Sequence, residues 1–274
     1  MPTHLLVISD LHVGSTLGLL PPEGATLDDG GKYLPNAAQT WLWLRYTEYG
    51  EEVRRRIKRG DRVIGVVNGD AVDCNSRTTQ LWSSNDVDIV RAATAVLKPL
   101  RDLCRDGFFI VRGTELHTRP SGQLEEAVAQ ALDATRWPAT SDVRSLFYLP
   151  LVLGDYRFDL AHHGRTGRQV WTRMNAAGGA AVELTLEYLA RGAVPPQVAI
   201  RSHTHLYSDS GQNYPVRMIT TPGWQLQTAY GHRIAPGRLP DIGGLICTVD
   251  RELDITCLRY RPQAVEAWRP DERK

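Results

Sequence analysis

Five apolar runs in this chain each stop at residues able to bind a metal ion. Val7-Ile8-Ser9 leads to Asp10 and His12, and the run over 62–68 leads to Gly69-Asp70, with Asp73 beyond. The run over 108–112 leads to Gly113-Thr114-Glu115-Leu116-His117, the run over 156–161 to His162 and His163, and the run over 197–201 to Ser202-His203-Thr204-His205. Of the chain's eight histidines, only His4 and His232 lie elsewhere. Carboxylate plus imidazole without thiolate suits Mn, Fe, Zn or Co rather than Cu(I) or an iron–sulfur cluster. The donors outnumber what one tetrahedral ion takes, so two divalent ions are expected. Asp70, ending a central strand, is the natural bridge between them. Two ions ~3.5–4 Å apart can share a hydroxide near neutral pH and neutralise phosphoryl oxygens during in-line displacement.

For donors so far apart in sequence to meet, the runs must be strands of a sheet whose tips share one edge, with helices between them. The spacing predicts those helices. Asn36 and Gln39 form a capping-box pattern that starts one running to about Lys58. Ile89, Ala92, Ala93, Val96, Leu97, Leu100, Leu103 and Cys104 mark a second over 86–106, with Gly107 as its cap. Leu124, Ala127, Val128, Ala131 and Leu132 mark a third face, and a further helix is read over 175–191. Runs 146–153 and 156–161 read as a hairpin around Gly154-Asp155, and 215–221, 243–249 and 253–260 as later strands. Residues 13–35 carry Gly14, Gly18, Pro21, Pro22, Gly24, Gly30, Gly31 and Pro35, a density of breakers that makes a long loop. It leaves directly from Asp10 and His12 and is expected to act as a lid. The reading is a single domain over 1–274, with a loop and helix insertion at about 13–60.

With 274 residues, 42% of them hydrophobic, the chain can bury a sizeable core. A net charge of +1 excludes a global polyanion-binding surface, so any attraction for phosphate is local. The four cysteines lack Cys-x-x-Cys spacing, which argues against a structural zinc site or a disulfide framework and fits a reducing, cytoplasmic setting. No stretch approaches the ~18 apolar residues of a membrane span. Trp41, Trp43 and Trp82 are expected in the core; Trp171 and Trp224 lie nearer the donor turns.

In order and spacing, Asp10-x-His12, Gly69-Asp70-x-x-Asp73, a Gly-rich turn after the third strand, His163-Gly164 and Ser202-His203-x-His205 resemble the calcineurin-like metallophosphoesterase superfamily, over about residues 3–207. The resemblance implies an α/β fold, a two-sheet β-sandwich flanked by helices, and hydrolysis of phosphomonoesters or phosphodiesters. It places Asp10, His12 and His205 on one ion and Asp70 as the bridge. His203 and one of His162 and His163 would hold the second ion. His163 is favoured because the family's ligand commonly precedes a glycine; His162, one step back on the strand, is then expected to face the other way.

The chain departs from the family at the third turn. The family has Gly-Asn-His, with Asn as ligand and His as acid; here Thr114 takes the Asn position and Glu115 the His position. Either Thr114 or Glu115 supplies an oxygen ligand and His117 becomes the acid, or the site has lost a metal or its acid. The first reading is preferred because a histidine stands on the same turn, and the Gly-Thr-Glu-x-His form resembles a phage-type subgroup. Arg201-Ser202 stands where the family often has Gly, making Arg201 an added cation.

Arg112, Arg119, Arg165, Arg168, Arg173 and Arg201 fall in or beside these turns. Of these, Arg112, Arg165 and Arg201 are the candidates for holding a phosphate. Aromatic residues do not interleave with basic ones as in a nucleic-acid groove. The expected function is hydrolysis of a phosphoester, with nucleotides and nucleic acids among the substrates considered, and a phosphodiesterase favoured. The alternatives are a phosphomonoesterase or protein phosphatase, a nuclease, or a metal-binding partner protein of weak activity. Mn is the favoured metal, with Fe, Zn, Ni or Co as alternatives.

Overall fold

A computed structural model describes residues 1–77, 79–165, 167, 172–235 and 239–262. Strand β1 (Thr3–Ile8) shows why the apolar runs are continuous rather than alternating. Leu5 and Val7 point into one core and Leu6 and Ile8 into another, so both faces of the strand are buried.

The first sheet has the order β13 (Leu253–Tyr260), β12 (Ile242–Val249), β1, β4 (Arg62–Asn68), β5 (Gly107–Val111) and β6 (Ser145–Leu146). From β1 to β6 the strands are parallel. The second sheet has the order β10 (Ser208–Asp209), β11 (Arg217–Thr220), β9 (Val198–Ser202), β8 (Tyr156–His163) and β7 (Leu149–Leu153), with β11, β9 and β8 parallel. The sheets stack face to face. Leu5, Val66, Phe109 and Leu245 of the first meet Leu149, Phe158, Leu160 and Ile200 of the second. Full burial of one such side chain is worth ~1.5–3 kcal/mol, so this layer is a major source of stability.

Helices cover the outer faces. α1 (Ala37–Arg56), α2 (Asp86–Leu103) and α4 (Gln123–Ala131) pack on the first sheet. α5 (Arg173–Ala190) sets Ala177 and Ala181 against Ala199 and Met218 of the second. The result is the two-sheet sandwich flanked by helices that the resemblance implied.

The capping box forms as expected. Gln39 donates its backbone N–H to Asn36 Oδ1 at 3.0 Å, and Asn36 donates its own to Gln39 Oε1 at 3.1 Å. α2 stops at Leu103 rather than 106, because Asp106 pairs with the edge of β4, exchanging backbone and side-chain bonds with Val63. Gly107 then opens β5 instead of capping the helix. The expected hairpin also divides. Ser145–Leu146 joins β5 in the first sheet, and only Leu149–Leu153 pairs with β8.

Residues 13–35 do not form the expected lid. Leu19 and Leu20 are fully buried in the core beneath α1 and α2, and a small hairpin, β2 (Ala25–Thr26) with β3 (Lys32–Tyr33), packs against α2. Apolar residues among the breakers gain more from this core than from facing solvent over the site. Trp82 and Trp224 are likewise buried in this core, whereas Trp171 lies outside the described residues. All four cysteines are free. No helix among the described residues is long and apolar enough to cross a membrane.

Candidate metal centre

The tips of β1, β4, β5, β8 and β9 meet along one edge of the sandwich, where the parallel strands of both sheets end. A buried polar seam fastens them there. Asn68 Nδ2 donates to Ser202 Oγ at 2.7 Å and to Ala161 O at 3.0 Å, while Thr221 Oγ1 joins Ser9 Oγ at 2.7 Å and Ser202 Oγ at 2.8 Å. Beyond the seam the chain turns sharply. Asp10, His12, Asp70, His203 and His205 all adopt left-handed backbone, with φ between 47° and 72°. Such residues cost ~1–3 kcal/mol each and persist where the surroundings hold them for a purpose. Five of the expected donors share this conformation, and it turns their side chains toward one another.

Asp10, His12 and His205 form the first group, with ligand atoms all within 4.8 Å of one another. His12 donates through Nδ1 to Asp73 Oδ2 at 3.1 Å, which leaves the lone pair of Nε2 facing His205 Nε2 at 3.2 Å. Burial holds the His12 pKa below the ordinary histidine value, so this ring is neutral and able to ligate. Asp10 Oδ1 is buried without a well-aligned hydrogen bond and faces His205 Nε2 at 3.2 Å. Burial alone would raise the Asp10 pKa, but His205 and His162 outweigh it and hold it at about 2. Converging lone pairs with an orphaned carboxylate oxygen are the donor arrangement a divalent cation fits.

Asp70 adjoins both groups. Its Oδ2 lies 3.9 Å from His12 Nε2 and 3.1 Å from His162 Nε2, and its Oδ1 accepts the Thr114 N–H at 2.6 Å. Two glycines make this approach feasible. A Cβ on Gly69 would collide with the His162 ring, and one on Gly113 with Asp70. Gly69 also has φ of 88°, the left-handed region that favours glycine.

His162 does not face away, as the preference for His163 required. Phe158 and Leu160 face the inner layer, and a register irregularity between Leu160 and His163 interrupts the pairing of β8 with β9 where buried His162 meets Asp70. Its Nδ1 donates to Asn68 O at 2.8 Å, which presents Nε2 to the carboxylate. Two acceptors at 3.1 Å require a cation between them or a proton on the ring. Burial disfavours that proton, but the charge of Asp70 prevails and raises the His162 pKa to about 10. A cation between His162 Nε2 and Asp70 Oδ2 would meet the same need.

His163 is exposed, yet it is not remote. Together with His162 and His203 it forms a three-imidazole group with ligand atoms within 4.8 Å, and its ring centre lies 5.0 Å from that of His162 and 5.1 Å from that of His203. Thr114 Oγ1 lies 3.1 Å from His203 Nδ1 and 3.5 Å from His162 Nε2, so Thr114 is the oxygen donor of the third turn beside this group. Glu115 is turned outward at the start of α3 (Glu115–Thr118), where its carboxylate accepts the Ser121 N–H at 3.1 Å. It belongs to none of the donor groups.

These positions give an expected result. His162→Ala loses the ion nearest Asp70, whereas His163→Ala binds it roughly 10–100-fold more weakly and fills at raised metal concentration. Elemental analysis after dialysis checks this. Loss in His163→Ala with retention in His162→Ala would reinstate His163 as the principal ligand.

Two carboxylates were not assigned roles from sequence. Asp73 is fully buried and holds two histidines at once, accepting from His12 Nδ1 and, at 3.0 Å, from His117 Nδ1. Burial would raise its pKa, but these two rings hold it near 2. For His117, burial alone would lower the pKa; the bond to Asp73 and the charges of Asp70, Asp73 and Asp10 raise it above the ordinary value instead. The spacing Asp70-x-x-Asp73 was the available signal. The second carboxylate, Glu125, is fully buried and accepts the N–H groups of Ala71 at 3.1 Å and Gly113 at 2.6 Å, clamping the turns after β4 and β5 together. Burial, and then the charge of Asp70, push its pKa up to about 7.

Arg112 lines a cavity beside Thr114, His162 and His163, and Arg165 and Arg201 line another beside His163, but each arginine has partners of its own. Arg201 pairs with buried Asp159 at 2.7 Å, Arg165 with Glu183 at 2.6 Å, and Arg112 lies 2.8 Å from Ser145 Oγ and 3.8 Å from Glu126. Arg119 pairs with Asp86 at 3.0 Å, and Arg173 lies 3.9 Å from Asp241. Arg168 lies outside the described residues. The three proposed phosphate-holding arginines are thus committed to carboxylates or hydroxyls. Their partners sit 14 to 42 residues away in sequence and were not visible from it.

A cleft of about 580 Å³ opens over the donors. His12, Asp70, Asp73, His117, His203 and His205 line its floor, and Gln225–Thr228, Tyr230, Ile234, Leu239 and Pro240 stand on its far wall. The chain thus folds as two stacked sheets flanked by helices, with its donor groups at the strand tips. No family model and no curated protein matches the sequence. Solved structures of similar shape include a predicted phosphoesterase from Streptococcus pneumoniae TIGR4, at 11% identity over 94% of this chain and 90% of that one, TM-score 0.36. Vacuolar Protein Sorting 29 from Cryptosporidium parvum is similar at 12% identity over 95% and 99%, TM-score 0.42. A phosphoesterase from E. coli is similar at 14% identity over 91% and 90%, TM-score 0.41. These are likenesses of shape; the chemistry of the site rests on its own residues.

Proposed function

We propose that this chain is a phosphoester hydrolase dependent on two divalent ions, acting on diesters in preference to monoesters. The observation that carries the reading is the pair of donor groups sharing Asp70. Asp10, His12 and His205 would hold one ion; His162, His203, Thr114 and His163 would hold the other, and Asp70 would serve both. When bound, two such ions would supply Lewis acidity and lower the pKa of a bound water.

The chain's own residues supply the rest. His117 lines the cleft, and its bond from Nδ1 to Asp73 leaves Nε2 available to donate a proton to the departing ester oxygen. Asp73 and the neighbouring carboxylates raise its pKa above the ordinary histidine value, which favours the protonated ring. Asp73 orients His12 and His117 together, linking a ligand to the acid. The preference for diesters follows from charge and room. No Lys or Arg among the described residues lines the cleft to meet the second negative charge of a monoester, and the cleft extends past the donors far enough for another ester group.

With Mn added, and Zn, Fe, Co and Ni in parallel, the expected result is a higher kcat/KM on bis-p-nitrophenyl phosphate than on p-nitrophenyl phosphate. A monoester preference would make the chain a phosphatase. Inactivity on both with two ions bound would make it a metal-binding partner protein instead.

A further inference from the structure

The far wall of the cleft has a composition that metal binding does not explain. Leu206, Leu226, Tyr230, Ile234 and Leu239 line it, and no described lining residue beyond the donor turns is charged. Tyr230, Ile234 and Leu239 are 45%, 65% and 45% exposed, so large apolar surfaces stand in water at the mouth of the site. Tyr230 and Ile234 belong to α6 (Ala229–Ile234), a helix with no buried residue. Polar ties hold it in place: Gly231 N–H to Thr228 Oγ1 at 3.1 Å, and Gln227 Nε2 to Ala235 O at 3.0 Å. Its apolar side chains therefore serve the cleft and not a core. Contiguous exposed apolar surface beside a polar site marks a place that something apolar covers.

We infer that one ester arm of the substrate is an uncharged aromatic or branched hydrocarbon group, seated against Leu226, Tyr230, Ile234 and Leu239 while the phosphorus lies at the donor cluster. This rests on the reading of the site as a phosphoester hydrolase. The cleft is continuous from the donors to this wall, so one molecule reaches both, and its volume is that of a small-molecule site. A polynucleotide would instead call for cations along its path. Among the described residues Arg112, Arg165 and Arg201 lie outside this cleft, in the pairings given above.

The test compares phenyl p-nitrophenyl phosphate with methyl p-nitrophenyl phosphate. Both release p-nitrophenolate and differ only in the arm that would meet the wall. Corrected for their hydroxide-catalysed rates, the phenyl ester is expected to show about tenfold higher kcat/KM, carried by KM. In Tyr230→Ser/Leu239→Ser that ratio falls toward one while metal content, read by elemental analysis, stays at two ions. A ratio near one in the unaltered protein, or one unchanged in the double variant, overturns the inference and leaves the hydrolase reading intact. A thymidine oligonucleotide that competes better than diphenyl phosphate also overturns it. No turnover of either ester with both ions bound overturns the hydrolase reading and the inference with it.

Discussion

Asp70→Asn will fold and yet hold neither ion. Asparagine keeps the shape, tolerates the left-handed backbone that Asp70 adopts, and can still accept the Thr114 N–H through its amide oxygen. The negative charge is lost. That charge faces His162 at 3.1 Å and His12 at 3.9 Å, so it adjoins both donor groups. Altering a residue that merely orients a ligand costs ~10–100-fold in metal affinity, so removing a shared ligand charge is expected to cost at least about a hundredfold at each ion. Elemental analysis after dialysis, with turnover of bis-p-nitrophenyl phosphate and a circular dichroism melt, checks this. Two ions at unaltered affinity, or full activity, would sink the reading of Asp70 as the bridge.

His117→Ala is expected to separate catalysis from metal binding. Its ring contributes a proton in this reading, and general-acid help is worth ~10²–10⁴ in rate. Turnover should fall by that order with both ions retained. The deficit should grow as the leaving group becomes more basic, because a poor leaving group needs the proton more. If the variant loses an ion instead, His117 is a ligand. The pH profile gives a second reading of the same residue. His117 acts while protonated, so activity falls as pH rises through its pKa, which Asp73 and its neighbours hold above the ordinary value. Asp73→Asn removes one of those charges, lowers that pKa and moves the alkaline limb of the profile to lower pH. Because Asp73 also holds His12, that variant weakens metal binding as well, so the limb is read at saturating metal.

The donor turns were legible because each followed an apolar strand, and parallel strands deliver their ends to one edge whatever their spacing in the chain. The orientation of His162 was not legible, because the resemblance to a His-Gly pattern pointed to its neighbour and the pairing of β8 shifts register between Leu160 and His163. Glu125 was hidden by a rotation. The apolar face read for α4 ran through Leu124, Ala127, Val128, Ala131 and Leu132; of these Leu124, Val128 and Leu132 are buried, together with Glu125 and Ala129, which carries a carboxylate inward. Glu115 and the arginines could not be placed from sequence, because their partners are set by tertiary packing. Residues 13–35 were read by their breakers, and the buried leucines between them decided where the segment went. The six-residue α6 is too short to show a helical period.

The pairing of His12 with His205 joins residues 193 positions apart. Such a contact closes a loop through most of the chain, and closing a loop of that length is entropically costly. A metal ion held by that pair would therefore reward long-range closure rather than local structure. It would tie together strand tips that the buried cores bring near. Ions held at Asp10, His12 and His205 and at their neighbours would act as stitches across the seam between the sheets.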